Sequence, residues 1–226
     1  MVAPAFILLG FGVGKMPAAF ALPLSTIDAM LPPEEDWLPI RARLASSGKL
    51  TNTFNARDAI EAGCSLHHLA FAASQVARHD PEVGRRIREW MADCAARVVS
   101  LFEKEQPSDT RVRHAVAAAR SFASGAIDDP VRLQAKRAAQ SAAPPYGPAR
   151  YAAMSAVHSL AGGSGSLKLA MDLCALDAAR AQAYGAEDII SEEALVQEEG
   201  WQRGRLAAWL DDLEPTPVEN VSEVGK

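Results

Sequence analysis

The residues of this chain with chemistry to offer are its five histidines, its three cysteines and a run of acids near the C-terminal end. His67 and His68 are adjacent. On a helix, neighbours point about 100° apart, so these two cannot chelate one ion together. No H-E-x-x-H occurs, and a metal site would need His79, His114 or His158 to converge with distant carboxylates. The plainer expectation is histidines at the half-exposed edge of a core. His158 falls on the inner side of an Ala-rich segment. A buried imidazole needs a hydrogen-bond partner, so His158 is a candidate for a polar contact inside the core. As a general base it has no nucleophile in view. Asp93 and Arg97, at i and i+4, form an ordinary helix pair worth about 0.3 kcal/mol. They join His158 as candidate polar-core residues.

Cys64, Cys94 and Cys174 are odd in number and form no C-x-x-C, so neither a disulfide framework nor a zinc site is indicated. Each is expected as a small buried hydrophobe in a reducing compartment. Gly10-Phe11-Gly12-Val13-Gly14-Lys15-Met16 invites comparison with a phosphate loop. That motif requires Gly where Leu9 stands and Ser or Thr where Met16 stands, and the comparison fails at both. No Ser-His-Asp or Cys-His arrangement is recognisable from spacing. The residues therefore indicate no catalytic group, no metal and no cofactor.

Charge offers two further surfaces. Asp188, Glu192, Glu193, Glu198 and Glu199 fall on one expected helix, and such a row can mimic phosphates to a basic partner. They are the candidate partner-binding residues; the plainer reading is a solvated helix start. Arg111, Arg113 and Arg120 make a small basic face, open to an anionic ligand or an acidic partner, or simply solvated. The net charge of −5 speaks against sequence-independent nucleic-acid binding, which needs clustered Lys and Arg.

The elements that must position these residues are helices. Alanine is abundant and aromatics are only 6%, a composition that favours helices packed closely on one another. The clearest lies within Arg85–Gly125. Ile87, Trp90, Met91, Cys94, Ala95, Val98, Leu101 and Phe102 form a continuous apolar stripe, with Arg86, Glu89, Asp93, Arg97 and Lys104 off it. Pro107 ends that helix, Ser108 or Asp109 caps the next, and Gly125 stops it. Before this pair, Asn55 caps an expected helix carrying Ala59, Gly63, Leu66, Ala70, Ala73 and Ala77 on one face. Pro32-Pro33-Glu34-Glu35-Asp36 starts a further helix that ends near Ser46-Ser47-Gly48.

Downstream, Asp129-Pro130 opens a helix to Ala143 that is expected to bury Val131, Ala135, Ala138, Ala139 and Ala142. A helix from about Ala149 to Ala161 follows the turn Pro144–Pro148, and Gly162–Ser166 is a hinge. Leu167 to Tyr184 is apolar nearly all round, as for a helix buried on several sides, yet too polar to span a membrane. Ser191 caps the last helix, whose inner face is Leu195, Leu206, Trp209, Leu210 and Leu213. The expectation is an all-α protein, a single bundle of seven to eight mostly antiparallel helices, with a helical repeat array as the other packing.

Three segments follow. Residues 1–31 read as a flexible or mis-started N-terminal extension, with Met16 or Met30 as other starts. The competing readings are a segment packed on the domain and a poor secretory signal, since Lys15 follows the apolar run instead of preceding it. Residues 32–213 read as the helical domain, and 214–226 as a fraying tail.

Trp90-Met91-Ala92-Asp93-Cys94-Ala95, Val98, Leu101-Phe102-Glu103, Pro107, Asp109, Arg111, Arg113, Ala117-Ala118-Ala119-Arg120 and Gly125 resemble a bacterial family of putative immunity proteins, the immunity-five-like domain of polymorphic toxin systems. The Ala-rich run to Ala143, Ala152–His158 and Trp201-Gln202 fit the same family, so the likeness covers about residues 85–213. It implies an all-α cytoplasmic protein that is not an enzyme and that binds and neutralises a cognate protein toxin by occlusion. No membrane or nucleic-acid partner and no catalytic residues come with it. Two other classes stay open on the residues alone. One is an enzyme or small-molecule binder with a pocket between helices near His67, His68 or His158. The other is a helical assembly module.

Overall fold

The computed structural model describes residues 22–23, 42, 45–46, 53–54, 56–78, 80–162, 167–184 and 190–211. The expected extension 1–31, the tail 214–226, the hinge residues 163–166, His79 and Leu213 fall wholly or almost wholly outside these, as does most of the expected helix after Pro32.

Helix α3 (Pro81–Glu105) is the axis of the molecule. Asp80 starts it: its carboxylate accepts from the backbone N–H of Glu82 at 2.9 Å and of Val83 at 3.4 Å, and Pro81 takes the first helical position. The helix is 25 residues long, hence about 37 Å. Its middle, Trp90–Ala96, is buried on every side, so α3 must be surrounded. Five helices surround it: α2 (Leu66–Val76), α4 (Arg111–Ala123), α6 (Pro148–Ser159), α7 (Leu167–Ala183) and α8 (Glu192–Leu210). Helix α5 (Asp129–Ala142) packs on α4 and α6, and α1 (Ala56–Glu61) packs on α8. Repeat arrays keep contacts between neighbouring units. Here the contacts converge on one central helix, and the all-α architecture is a bundle.

Small side chains let the helices close on one another. On α6, Ala149, Ala152, Ala153 and Ala156 are completely buried, and α6 meets α3, α4, α5 and α7. At its centre Ser155 Oγ donates to the Cys174 carbonyl at 3.0 Å, and the Cys174 thiol lies 3.4 Å from the carbonyls of both Ser155 and Met91. One hydroxyl and one thiol thus tie α3, α6 and α7. All three cysteines are free and buried. Burial pushes the Cys64 and Cys174 thiols up to about 12 and Cys94 well above its ordinary value.

Several boundaries differ from the sequence expectation. The stripe Ala59–Ala77 is two helices, because the chain turns at Gly63 with φ 89°. Helix α4 has Thr110 at its N-cap with no side-chain bond, while Asp109 accepts from the Arg111 N–H at 3.0 Å. Asp128 caps α5, one residue before the expected Asp129, by accepting from Val131 N–H at 3.2 Å. Val131 is 46% exposed and Arg132 goes inward in its place. Helix α7 is not enclosed all round, since Leu169 is 60% and Leu176 42% exposed. Gly125 does stop α4, with φ 75°, the Gly125 N–H on the Phe122 carbonyl and the Ala126 N–H on that of Ser121. Leu22–Pro23 pairs antiparallel with Thr53–Phe54, a two-residue ladder where no strand pair was expected.

Candidate functional site

Helix α8 carries most of the candidate partner-binding residues, and its two sides differ. Ser191 starts it, with its hydroxyl 3.3 Å from the Ala194 N–H. A bridge between Tyr184 and Ile190 ties this start to the end of α7. On the inner side Glu198 is only 3% exposed. Its Oε2 accepts from Arg97 Nε at 2.8 Å, and Arg97 lies over the Trp201 ring at 4.4 Å. Burial pushes the Glu198 carboxyl above its ordinary value, against the hydrogen bond from Arg97. Gln202, 1% exposed, donates to the Ala175 carbonyl at 2.9 Å, and its own carbonyl accepts from Trp90 Nε1 at 2.9 Å. One turn on, Asp93 of α3 is 4% exposed. It accepts from Arg205 Nε at 2.8 Å, Trp209 Nε1 at 2.9 Å and Arg120 at 3.3 Å. These two carboxylates pin α8 to α3, Asp93 also holds α4, and Gln202 ties α8 to α7.

Two expectations are corrected here. Glu198 is not part of an exposed acidic row; it is a buried tie. Asp93 and Arg97 do not pair with each other along α3, because each bonds to α8, and Asp93 also to α4. Tertiary contacts with buried partners outweigh a weak solvent-facing i,i+4 pair.

On the outer side of α8, Glu192, Glu193 and Glu199 are exposed and form no ion pair or hydrogen bond among the described residues. Asp188 lies outside the described residues. Helical periodicity puts Glu192, Leu195, Val196 and Glu199 within about 100° of one another on one face. That face borders a groove of about 430 Å³ between α2, α7 and α8. Leu66, Ala175, Leu176, Ala179 and Leu195 form its apolar lining, with His67, Asp172, Glu199 and Gln202 the polar members. At the α2 lip Lys168 bonds to Asp172 and lies 3.0 Å from His67 Nδ1. Leu169, 60% exposed, and Val196, 66% exposed, are further apolar residues on the outward sides of α7 and α8.

The Imm-5 like putative immunity protein family matches residues 77–208, which run from just before α3 nearly to the end of α8. The chain belongs to this family. The matched span contains the acidic side of α8 and both carboxylate ties, and excludes the α2 wall of the groove. No curated protein and no solved structure matches the chain.

In this family member the histidines named from the sequence go to separate places. His67 is at the groove lip. His68 Nδ1 lies 2.6 Å from Ser65 Oγ within its own turn. His158 sits 3.4 Å from Asp177 between α6 and α7. Burial raises the Asp177 carboxyl to about 6, with Arg180 and Arg150 opposing. Burial also lowers His158, and Lys136 adds to that. Asp177 lies roughly opposite Ala175 and Ala179 around α7, so this pair does not open into the groove. Among the described residues no group of three His, Cys, Asp or Glu is placed to hold a metal ion, and no helix is long and apolar enough to cross a membrane. The basic residues of α4 are paired: Arg111 with Asp109 at 2.5 Å, Arg113 with Glu103 at 2.6 Å and Arg120 with Asp93.

The apolar groove was missed in the sequence. Its only signal was the excess of leucine on α7, where Leu169, Leu173 and Leu176 recur at i, i+4 and i+7 beyond the buried alanine face.

Proposed function

We propose that the chain is an immunity protein that binds and neutralises a cognate toxin made by the same bacterial cell. It acts in the cytoplasm by occlusion, without catalysis. Family membership across α3–α8 is the observation that carries this reading. Glu192, Glu193 and Glu199 support it, because three exposed acids without partners among the described residues leave their charge available to another molecule. Asp188 belongs to the same run. A toxin acting on a phosphate-bearing substrate has a basic active site, and this acidic edge fits over it. Charge complementarity of this kind raises the association rate and selects the partner.

The test is co-expression with a candidate toxin encoded beside this chain's gene. Cells carrying both are expected to survive where cells carrying the toxin alone die. Equal death with and without the chain contradicts the reading for that pair.

A further inference from the structure

The groove between α2, α7 and α8 has a chemistry of its own, separate from the acids of its edge. Leu176 is 42% exposed and Val196 66%, on helices whose other faces are packed inward. Leu169 lies two turns before Leu176 on the same face of α7, about 10 Å along the axis. The strip therefore extends beyond the cavity itself. Gln202, which lines the groove, is held to the Ala175 carbonyl at 2.9 Å and keeps α7 and α8 at a fixed separation. The groove is thus built before anything enters it, which limits the ordering cost of binding.

Its edges differ in charge. Along the α2 lip, Lys168 and His67 are engaged with Asp172. Along the α8 lip, Glu192 and Glu199 have no partner among the described residues. An apolar strip beside unpaired carboxylates fits a segment that presents aliphatic side chains flanked by Lys or Arg. All the lining comes from helices, whose backbone groups are bonded internally, so no strand edge is offered and recognition falls to side chains.

We propose that this groove receives a cationic amphipathic helix of the partner protein, with aliphatic residues on Leu176 and Val196 and basic residues against Glu192 and Glu199. The proposal rests on the immunity reading for the identity of the partner, while the groove's chemistry can be tested apart from it.

Two synthetic 18-residue amphipathic helices serve as probes. Both carry Leu on one face; one is flanked by Lys and the other by Glu. Binding to the full chain is followed by fluorescence anisotropy. The Lys peptide is expected to bind, more weakly as salt rises, and the Glu peptide at least tenfold more weakly. L176Q/V196Q removes the aliphatic contacts and is expected to lower Lys-peptide affinity about tenfold or more. E192Q/E199Q is expected to lower it with loss of the salt dependence. L133Q, on the exposed side of α5, is expected to leave binding unchanged. All three variants lie on exposed positions, and circular dichroism melting confirms their folding. Equal binding of the two peptides, no binding of either, or equal binding to L176Q/V196Q and the unaltered chain overturns the proposal.

The same variants then enter the co-expression assay. Protection lost in L176Q/V196Q supports the proposal, and protection kept overturns it while the immunity reading stands. Failure of the unaltered chain to protect counts against the immunity reading for that toxin and leaves the peptide result to decide the groove.

Discussion

Glu198 and Glu199 are consecutive on α8, yet Glu198 is 3% exposed and bonded to Arg97 at 2.8 Å, while Glu199 is exposed on the groove with no partner among the described residues. The difference extends along the helix. The inner side is polar because it is bonded: Glu198, Gln202, Arg205 and Trp209 each reach a partner on α3 or α7. The outer side is acidic and apolar, and Glu192, Glu193 and Glu199 have no partner there among the described residues. Removing a group from the inner side orphans its partner, whereas removing one from the outer side changes only what the helix offers to another molecule. Identical residue types on one helix therefore predict opposite phenotypes.

Asp93→Ala should give the largest effect. It removes the buried carboxylate that accepts from the Arg205 guanidinium and the Trp209 indole N–H, a cost of about 3 kcal/mol in urea unfolding. Asp93→Asn, which keeps an acceptor oxygen, should cost less. Glu198→Ala follows at about 2 kcal/mol, because Arg97 is partly solvated and can turn outward. Equal costs for Glu198→Ala and Glu199→Ala would break the comparison at its centre.

Gly162→Ala comes next. A Cβ there would lie 2.6 Å from Arg132 Nη2, and that guanidinium is already held by the Leu160 carbonyl at 2.5 Å and by Asp129 at 2.8 Å. The expected loss is about 1–2 kcal/mol by thermal unfolding, since a bonded side chain must give way. Arg132→Lys in the same background should recover part of it.

Asp177→Asn has an effect that changes with pH. Burial raises the folded-state carboxyl to about 6 from an ordinary 3.8. Its contribution to stability is therefore present in full below the ordinary value and is lost as pH rises through about 6. The Asn variant should gain in urea midpoint relative to the unaltered chain between pH 5 and pH 7.5. His158, lowered by burial, destabilises the fold as pH falls through 6.5; because it lies 3.4 Å from Asp177, the comparison is repeated in a His158→Gln background to isolate Asp177. A difference that does not change over this range would contradict the assignment.

The helices were legible because the apolar stripe of α3, the Ser191 cap and the Gly125 stop are local signals that tertiary packing reinforces. The inward turns of Arg132 and Glu198 were not, although Asp93 was named as a candidate polar-core residue and is buried. Arg132 replaces Val131 in the core because the carbonyl of Leu160 waits for it, a partner 28 residues away that no window of sequence shows. Glu198 looked like one more acid in a row for the same reason, its partner being 101 residues away. The groove was hidden because an exposed leucine and a buried one spell alike, and only the packing of α2, α7 and α8 separates Leu176 from Leu206.

The outer face gives the smallest stability effects and the sharpest functional test. E192Q/E193Q/E199Q touches exposed side chains only, so its unfolding free energy should stay within about 0.5 kcal/mol of the unaltered chain. The direct measurement is survival of cells co-expressing this triple variant with the toxin that the unaltered chain neutralises. The account predicts a folded protein that no longer protects; full protection by the triple variant would contradict it.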